Sequence, residues 1–151
     1  MSSTTPTALS SASTQKDSKP FPVRRLLVVS IIAIMWIIYG DILHAPFVYD
    51  DKIEVVGNRT IRFWSEWKDI VLYNPARALL QITYAYNFET SQFDPFDYHI
   101  TNLLIHSLTI ITSFFASEQL AKLWKTSSPI VFATILTAWW ALHPMGIESV
   151  T

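Results

Sequence analysis

The chain contains no cysteine, which excludes a disulfide framework, a thiolate metal site and a thiol nucleophile, and leaves the redox compartment undetermined. Charge is scarce as well. Only 15% of the 151 residues are charged against 50% hydrophobic, and the mean hydropathy is +0.28. That balance is too apolar for an ordinary soluble domain of this length and points to a membrane protein. No HExxH pattern is present, and a proline separates His143 from Glu148, so no zinc site is expected. Haem ligation by His106 lacks a second histidine at matching depth, because His44 and His143 stand at segment ends.

What is present is a set of long apolar runs. Residues 1 to 22 are rich in Ser, Thr and Pro with few large apolar side chains, so they read as a disordered tail. From Leu26 to Leu43 the only strongly polar residue before Tyr39 is Ser30, and no charge precedes Asp41. Started near Val23, this run meets the roughly 20 apolar residues a membrane helix needs, giving a first crossing over 23 to 43. A cleaved signal peptide is the competing reading, but the first position of Leu43-His44-Ala45 should then be small, which favours an uncleaved anchor. Further apolar segments give crossings over 99 to 120 and 129 to 142. Pro129 stands where a first helical turn tolerates it.

The net charge of −1 hides a segregation by segment. Lys16, Lys19, Arg24 and Arg25 against Asp17 give the N-terminal side +3, and Lys122 and Lys125 against Glu118 give the short connection after the second crossing and its flank +1. Between the first two crossings, five basic residues meet nine acidic ones counted from Asp41 to Asp97. Basic residues beside short loops mark the cytoplasmic side. The N-terminus and the 121 to 128 connection are therefore expected inside, with the loop of residues 44 to 98 and the segment from 143 to 151 outside.

That loop is too long and too aromatic for a plain connector. Ile61 to Tyr73 sets Trp64, Trp67, Ile70 and Val71 among charges at helical spacing, the pattern of an amphipathic helix lying at the interface. Its tryptophans are read as interfacial anchors rather than as sugar-stacking platforms. After Asn74-Pro75 a second short helix is expected over Ala76 to Asn87, with Arg77 in its first turn. The sequon Asn58-Arg59-Thr60 falls on the outside, where a glycosylating host can reach it.

Two features carry possible chemistry. Asp50 and Asp51 stand a few residues beyond the first crossing, either as a solvated pair or helix cap, or as adjacent carboxylates facing a substrate. In the second crossing His99, Asn102, His106, Thr109 and Ser113 recur at steps of three and four, so they fall on one stripe of an otherwise apolar helix. Such a stripe must face protein or water, as interhelical hydrogen bonds or as a substrate lining.

Three stretches in order carry a family resemblance: Phe47-Val-Tyr-Asp-Asp, Tyr98-His-Ile-Thr-Asn-Leu-Leu-Ile-His106 and Leu142-His-Pro-Met-Gly-Ile-Glu-Ser-Val150. They resemble the (F/Y)DD, YHxxNxxxH and HPxxxE(A/S)V patterns of multispanning C-type glycosyltransferases. The similarity is greatest to the transmembrane and tetratricopeptide-repeat-containing O-mannosyltransferases and their bacterial relatives. The chain departs from them at Arg77-Ala-Leu, where Arg-Pro-Leu is common, and at Gly146, a position usually bulkier or polar.

The resemblance implies an all-α, multi-pass protein of the bacterial plasma membrane or the endoplasmic reticulum. Residues 1 to 151 would be its first three crossings and a large extracytoplasmic loop, a fragment inactive alone and followed by more helices and repeats of about 34 residues. The implied reaction moves a mannose-like sugar from a polyprenyl-phosphate donor to an acceptor protein, with lipid as the remaining partner and no nucleic acid, metal or cofactor. Asp50 or Asp51 would be the general base for a hydroxyl that is a poor nucleophile at neutral pH. Arg77, His99 and His143 would meet the phosphate, Arg77 with the best geometry, and Asn102, His106 and Glu148 would line the substrate site. A transporter subunit and a non-catalytic membrane scaffold are the other classes; a transporter would place charges deep in several crossings, which this sequence does not do.

Overall fold

The structure, a computed structural model, describes residues 21–48 and 50–144. Among these every regular element is helical: α1 (Phe21–Tyr39), α2 (Trp67–Tyr73), α3 (Ala78–Ser91), α4 (Pro95–Leu123) and α5 (Pro129–Ala141), with short tight turns between. Two helices are long and apolar enough to cross a membrane, Val23–His44 (α1 with the 3₁₀ turn Gly40–His44) and α4. At 13 residues α5 is about 20 Å long, shorter than a ~30 Å hydrocarbon core. The expected third crossing thus rests on a helix that does not span by length alone.

The long helices form a three-helix unit. Val28, Phe114 and Ala133 pack at one level, and Ile31, Met35, Tyr39, Leu103, Ile110 and Ala141 above it. From these pairings α4 runs antiparallel to both α1 and α5. Outward faces stay apolar, with Ile37, Leu108, Ile135 and Trp139 exposed, an extent that needs lipid or further protein to cover it. At one end the carboxylate of Glu118, 2% exposed, lies 2.8 Å from Arg24 and 2.9 Å from Lys122. Counted in the sequence with the charges after the second crossing, Glu118 is a buried tie between α1 and α4.

The loop has its own core at the opposite end of the helices. Val55, Ile61, Ile70, Tyr84, Ala85, Phe88 and Tyr98 are buried together. The amphipathic helix expected over Ile61 to Tyr73 is broken. Two 3₁₀ turns, Thr60–Arg62 and Trp64–Glu66, precede α2, and Phe63 between them is extended, with φ −128° and ψ 92°. The β-branched and aromatic residues here are weak helix formers, and both Ile61 and Ile70 reach the core, leaving Trp64 and Trp67 exposed. The second loop helix starts two residues later than expected and runs four further, as α3.

Helix α4 also starts earlier than the expected 99. Asp94 caps it by accepting from the Phe96 amide at 3.1 Å, with Pro95 in the first turn, an aspartate-proline start signal. The extra turn places Tyr98 and His99 inside the helix on its buried face. The polar stripe holds only for its upper half. His99, Asn102 and His106 are buried, but the buried line then continues through Ile110, Phe114 and Glu118, while the Thr109 hydroxyl turns back to Ile105 O at 2.9 Å. Steps of three and four repeat every 3.5 residues and drift roughly 20° per heptad against a true helix.

Candidate active site

The chemistry-bearing residues converge where the loop core meets the first turns of α4. Asp50, Asp51 and Glu54 come from the turn entering the one-turn π segment Lys52–Val56. Arg77, at the end of the 3₁₀ turn Pro75–Arg77, and Gln81 and Tyr84 of α3 follow at steps of four and three, so they share a face. Arg77 donates to Asp50 and lies 4.0 Å from Glu54. Gln81 donates to the other oxygen of Glu54 and accepts from the Asn58 amide at 2.9 Å.

The adjacent aspartates have separate environments. Asp50 is exposed and paired with Arg77. Asp51 is 8% exposed, and its Oδ2 is buried without a hydrogen-bond partner among the described residues. Burial raises its pKa from the ordinary carboxylate value, opposed by the nearby His99 and a backbone hydrogen bond at Val48, while the Asp50 charge raises it further. Arg77 is held more firmly protonated, chiefly by its hydrogen bond to Asp50. The Tyr84 phenol is pushed up by burial and then by the Asp51 charge, so it stays protonated and able to donate.

His99 is fully buried. Its Nε2–H donates to Ala45 O at 3.1 Å, because a carbonyl can only accept. In the neutral ring Nδ1 is then an acceptor, and it is buried without a partner among the described residues. Phe47 closes this side, 5.3 Å from the Tyr98 ring and 6.2 Å from His99.

Four of the sequence-derived residues therefore meet: Asp50, Asp51, Arg77 and His99. Asn102 is buried one turn deeper on α4. His106, about 10 Å below His99 along the helix, donates from Nε2 to Ala141 O at 3.2 Å and packs against Trp140, so it serves as an interhelical tie. His143 sits past the end of α5, its ring 5.8 Å from Trp139 and its carbonyl accepting from Tyr39 at 3.0 Å. Glu148 lies outside the described residues. Glu54, Gln81 and Tyr84 belong to the cluster without having been singled out from the sequence; the spacing of Glu54 from Asp50, and of Gln81 and Tyr84 from Arg77, was the available signal. Among the described residues no three His, Asp or Glu side chains converge on a metal-sized point.

Chemically the cluster offers a buried carboxylate with a free oxygen, an imidazole acceptor beside it, a phenol donor, and a guanidinium with unused donors next door. No protein-family model and no solved structure matches the chain. It is 25% identical over 140 residues to the human (Homo sapiens) protein O-mannosyl-transferase TMTC3, and 28% identical over 141 residues to the Mus musculus protein of the same name. With human protein O-mannosyl-transferase TMTC1 it shares 25% over 126 residues. These alignments cover 82%, 83% and 74% of the chain, which spans 14% of the length of each relative. Over about four fifths of its length, then, the chain is weakly similar to protein O-mannosyl-transferases.

Proposed function

We propose that the chain belongs to a multi-pass membrane glycosyltransferase that moves a mannose-like sugar from a polyprenyl-phosphate donor to a protein hydroxyl on the extracytoplasmic face. The observation that carries this reading is Asp51, a buried carboxylate whose Oδ2 has no partner among the described residues, within the electrostatic reach of His99 and next to the Asp50–Arg77 pair. Similarity to the O-mannosyl-transferases supports the sugar and acceptor class.

In the reaction Asp51 accepts the proton of the acceptor hydroxyl as its oxygen bonds to the anomeric carbon. The bond from that carbon to the phosphate oxygen breaks, its electron pair stays on the phosphate, and the polyprenyl phosphate leaves. Arg77 is half-exposed and gives one terminal nitrogen to Asp50, so its other donors face the growing phosphate charge. His99, locked by Ala45, presents Nδ1 as an acceptor that orients a substrate hydroxyl, and Tyr84 donates. Asp51 passes its proton to solvent once products part.

The full-length protein that carries this chain, in lipid and supplied with polyprenyl-phosphate mannose and a Ser/Thr-rich acceptor peptide, tests this by mass spectrometry of the peptide. Asp51→Asn is expected to lower turnover by about 10²–10⁴-fold, the usual contribution of a general base. Unchanged transfer by this variant at matched insertion would remove Asp51 from the chemistry, and absence of transfer by the wild-type protein would favour the scaffold reading.

A further inference from the structure

The sequon Asn58-Arg59-Thr60 marks an asparagine that the structure uses for something else. Asn58 is 1% exposed. Its Oδ1 accepts from the Thr60 amide at 2.9 Å and from the Thr60 hydroxyl at 2.7 Å, and its Nδ2 donates to Gln81 Oε1 at 2.9 Å. Gln81, also fully buried, passes its Nε2–H to Glu54. Glu54 stands beside Arg77, and Arg77 donates to Asp50. The sequence of contacts is continuous from Thr60 to Asp50.

The direction of each amide in this chain is fixed from both ends. A backbone N–H can only donate, so Asn58 must turn its oxygen to Thr60 and its nitrogen to Gln81. A carboxylate can only accept, so Gln81 must turn its nitrogen to Glu54 and its oxygen to Asn58. Neither amide can flip without setting donor against donor or acceptor against acceptor in a dry site, where an unmade hydrogen bond is expensive. Thr60 itself is anchored, because Ile61 beside it is buried in the loop core.

We propose that Asn58 is a positioning residue, the outer anchor of a Thr60–Asn58–Gln81–Glu54 relay that sets Arg77 for the donor phosphate, and that the folded protein carries no glycan on it. The positioning half rests on the transfer reading above; the glycan half does not. N-glycosylation replaces an Nδ2 hydrogen with a sugar, which would remove the bond to Gln81 and force a bulky group into a site with no room. The same Thr60 hydroxyl that completes the sequon holds the asparagine in the relay.

The test uses the protein made in a glycosylating host. Treatment with peptide N-glycosidase should leave its mobility unchanged at this sequon, and glycosylated Asn58 in folded protein would overturn the proposal. Asn58→Asp keeps the acceptor for Thr60 but removes the donor to Gln81, and is expected to raise the donor KM about tenfold, the loss of one buried hydrogen bond, with little change in kcat. Combining it with Glu54→Gln restores a complete relay running the other way, since Gln81 can then turn its nitrogen to position 58 and its oxygen to position 54. This double variant should recover the melting temperature lost in Asn58→Asp. An unmoved donor KM would leave Asn58 with a purely local structural role, and a double variant without recovery would show the amide orientations to be uncoupled; either result refutes the relay. Should Asn58→Asp alone fail to accumulate, folding of the double variant decides the matter. Absence of transfer by the wild-type protein, by contrast, would sink the transfer reading while leaving the glycan and recovery measurements valid.

Discussion

Asp50 and Asp51 are neighbours in sequence and opposites in environment, because the turn that carries them points one outward to Arg77 and the other into the seam between loop core and α4. The pair was legible as a candidate from the sequence; which member faces inward was not, since a dipeptide has no periodicity to assign faces. The raised pKa of Asp51 has a stability consequence. Its folded-state pKa lies above the unfolded value of 3.8, so the folded protein binds the proton more tightly than the unfolded chain. Ionised Asp51 therefore lowers stability at neutral pH, and that penalty is relieved as pH falls through the raised folded pKa. Asp51→Asn should consequently raise the neutral-pH melting temperature while lowering turnover, measured by thermal denaturation in detergent from pH 7 down to pH 4; a melting temperature lowered by the substitution would contradict the burial argument. The acid limb of the wild-type transfer rate is expected above the ordinary carboxylate value and to move little in Asp50→Asn.

Among the elements, α4 links the site to the rest of the fold. Its apolar core was plain in the sequence, but its start was fixed by Asp94-Pro95, a cap outside the apolar run, and that extra turn is what delivers Tyr98 and His99. Its far end closes with Lys125 at φ 54° and with Thr126 N–H bonded to Ala121 O at 2.9 Å, a Schellman-type stop. Between the ends, Glu118 binds α4 to α1 through Arg24. No spacing rule marks a partner 94 positions away, which is why the sequence showed Glu118 only as a charge. A double-mutant cycle with Arg24→Met and Glu118→Leu should return a coupling of about 0.5–3 kcal/mol, as for contacting residues. Arg24→Met leaves Glu118 with Lys122 alone, and Glu118→Leu removes the acceptor of both cations, so each single variant should be less stable than the wild type; additive losses would mean the pair does not hold the helices.

At the scale of the whole molecule the charge asymmetry of the sequence becomes an axis. Arg24, Glu118 and Lys122 gather at one end of the three helices, and the Asp50–Asp51–Glu54–Arg77 cluster at the other. His99 and Glu118 lie nineteen residues apart on α4, roughly 29 Å at the helical rise, close to the ~30 Å thickness of a hydrocarbon core. The cluster and the basic tie thus fit opposite membrane faces. In sealed vesicles with the cytoplasmic face inside, a membrane-impermeant thiol reagent should label Lys68→Cys directly and Ser127→Cys only after permeabilisation, the chain having no cysteine of its own. The reverse pattern would invert the proposed topology. The division of labour between the two aspartates is the central claim, and steady-state transfer by Asp50→Asn and Asp51→Asn, resolved into kcat and donor KM at matched insertion, tests it most directly. Asp51→Asn should lose about 10²–10⁴-fold in kcat with donor KM held, and Asp50→Asn should chiefly raise donor KM as Arg77 loses its partner. The opposite assignment, or near wild-type transfer by both, would contradict the account.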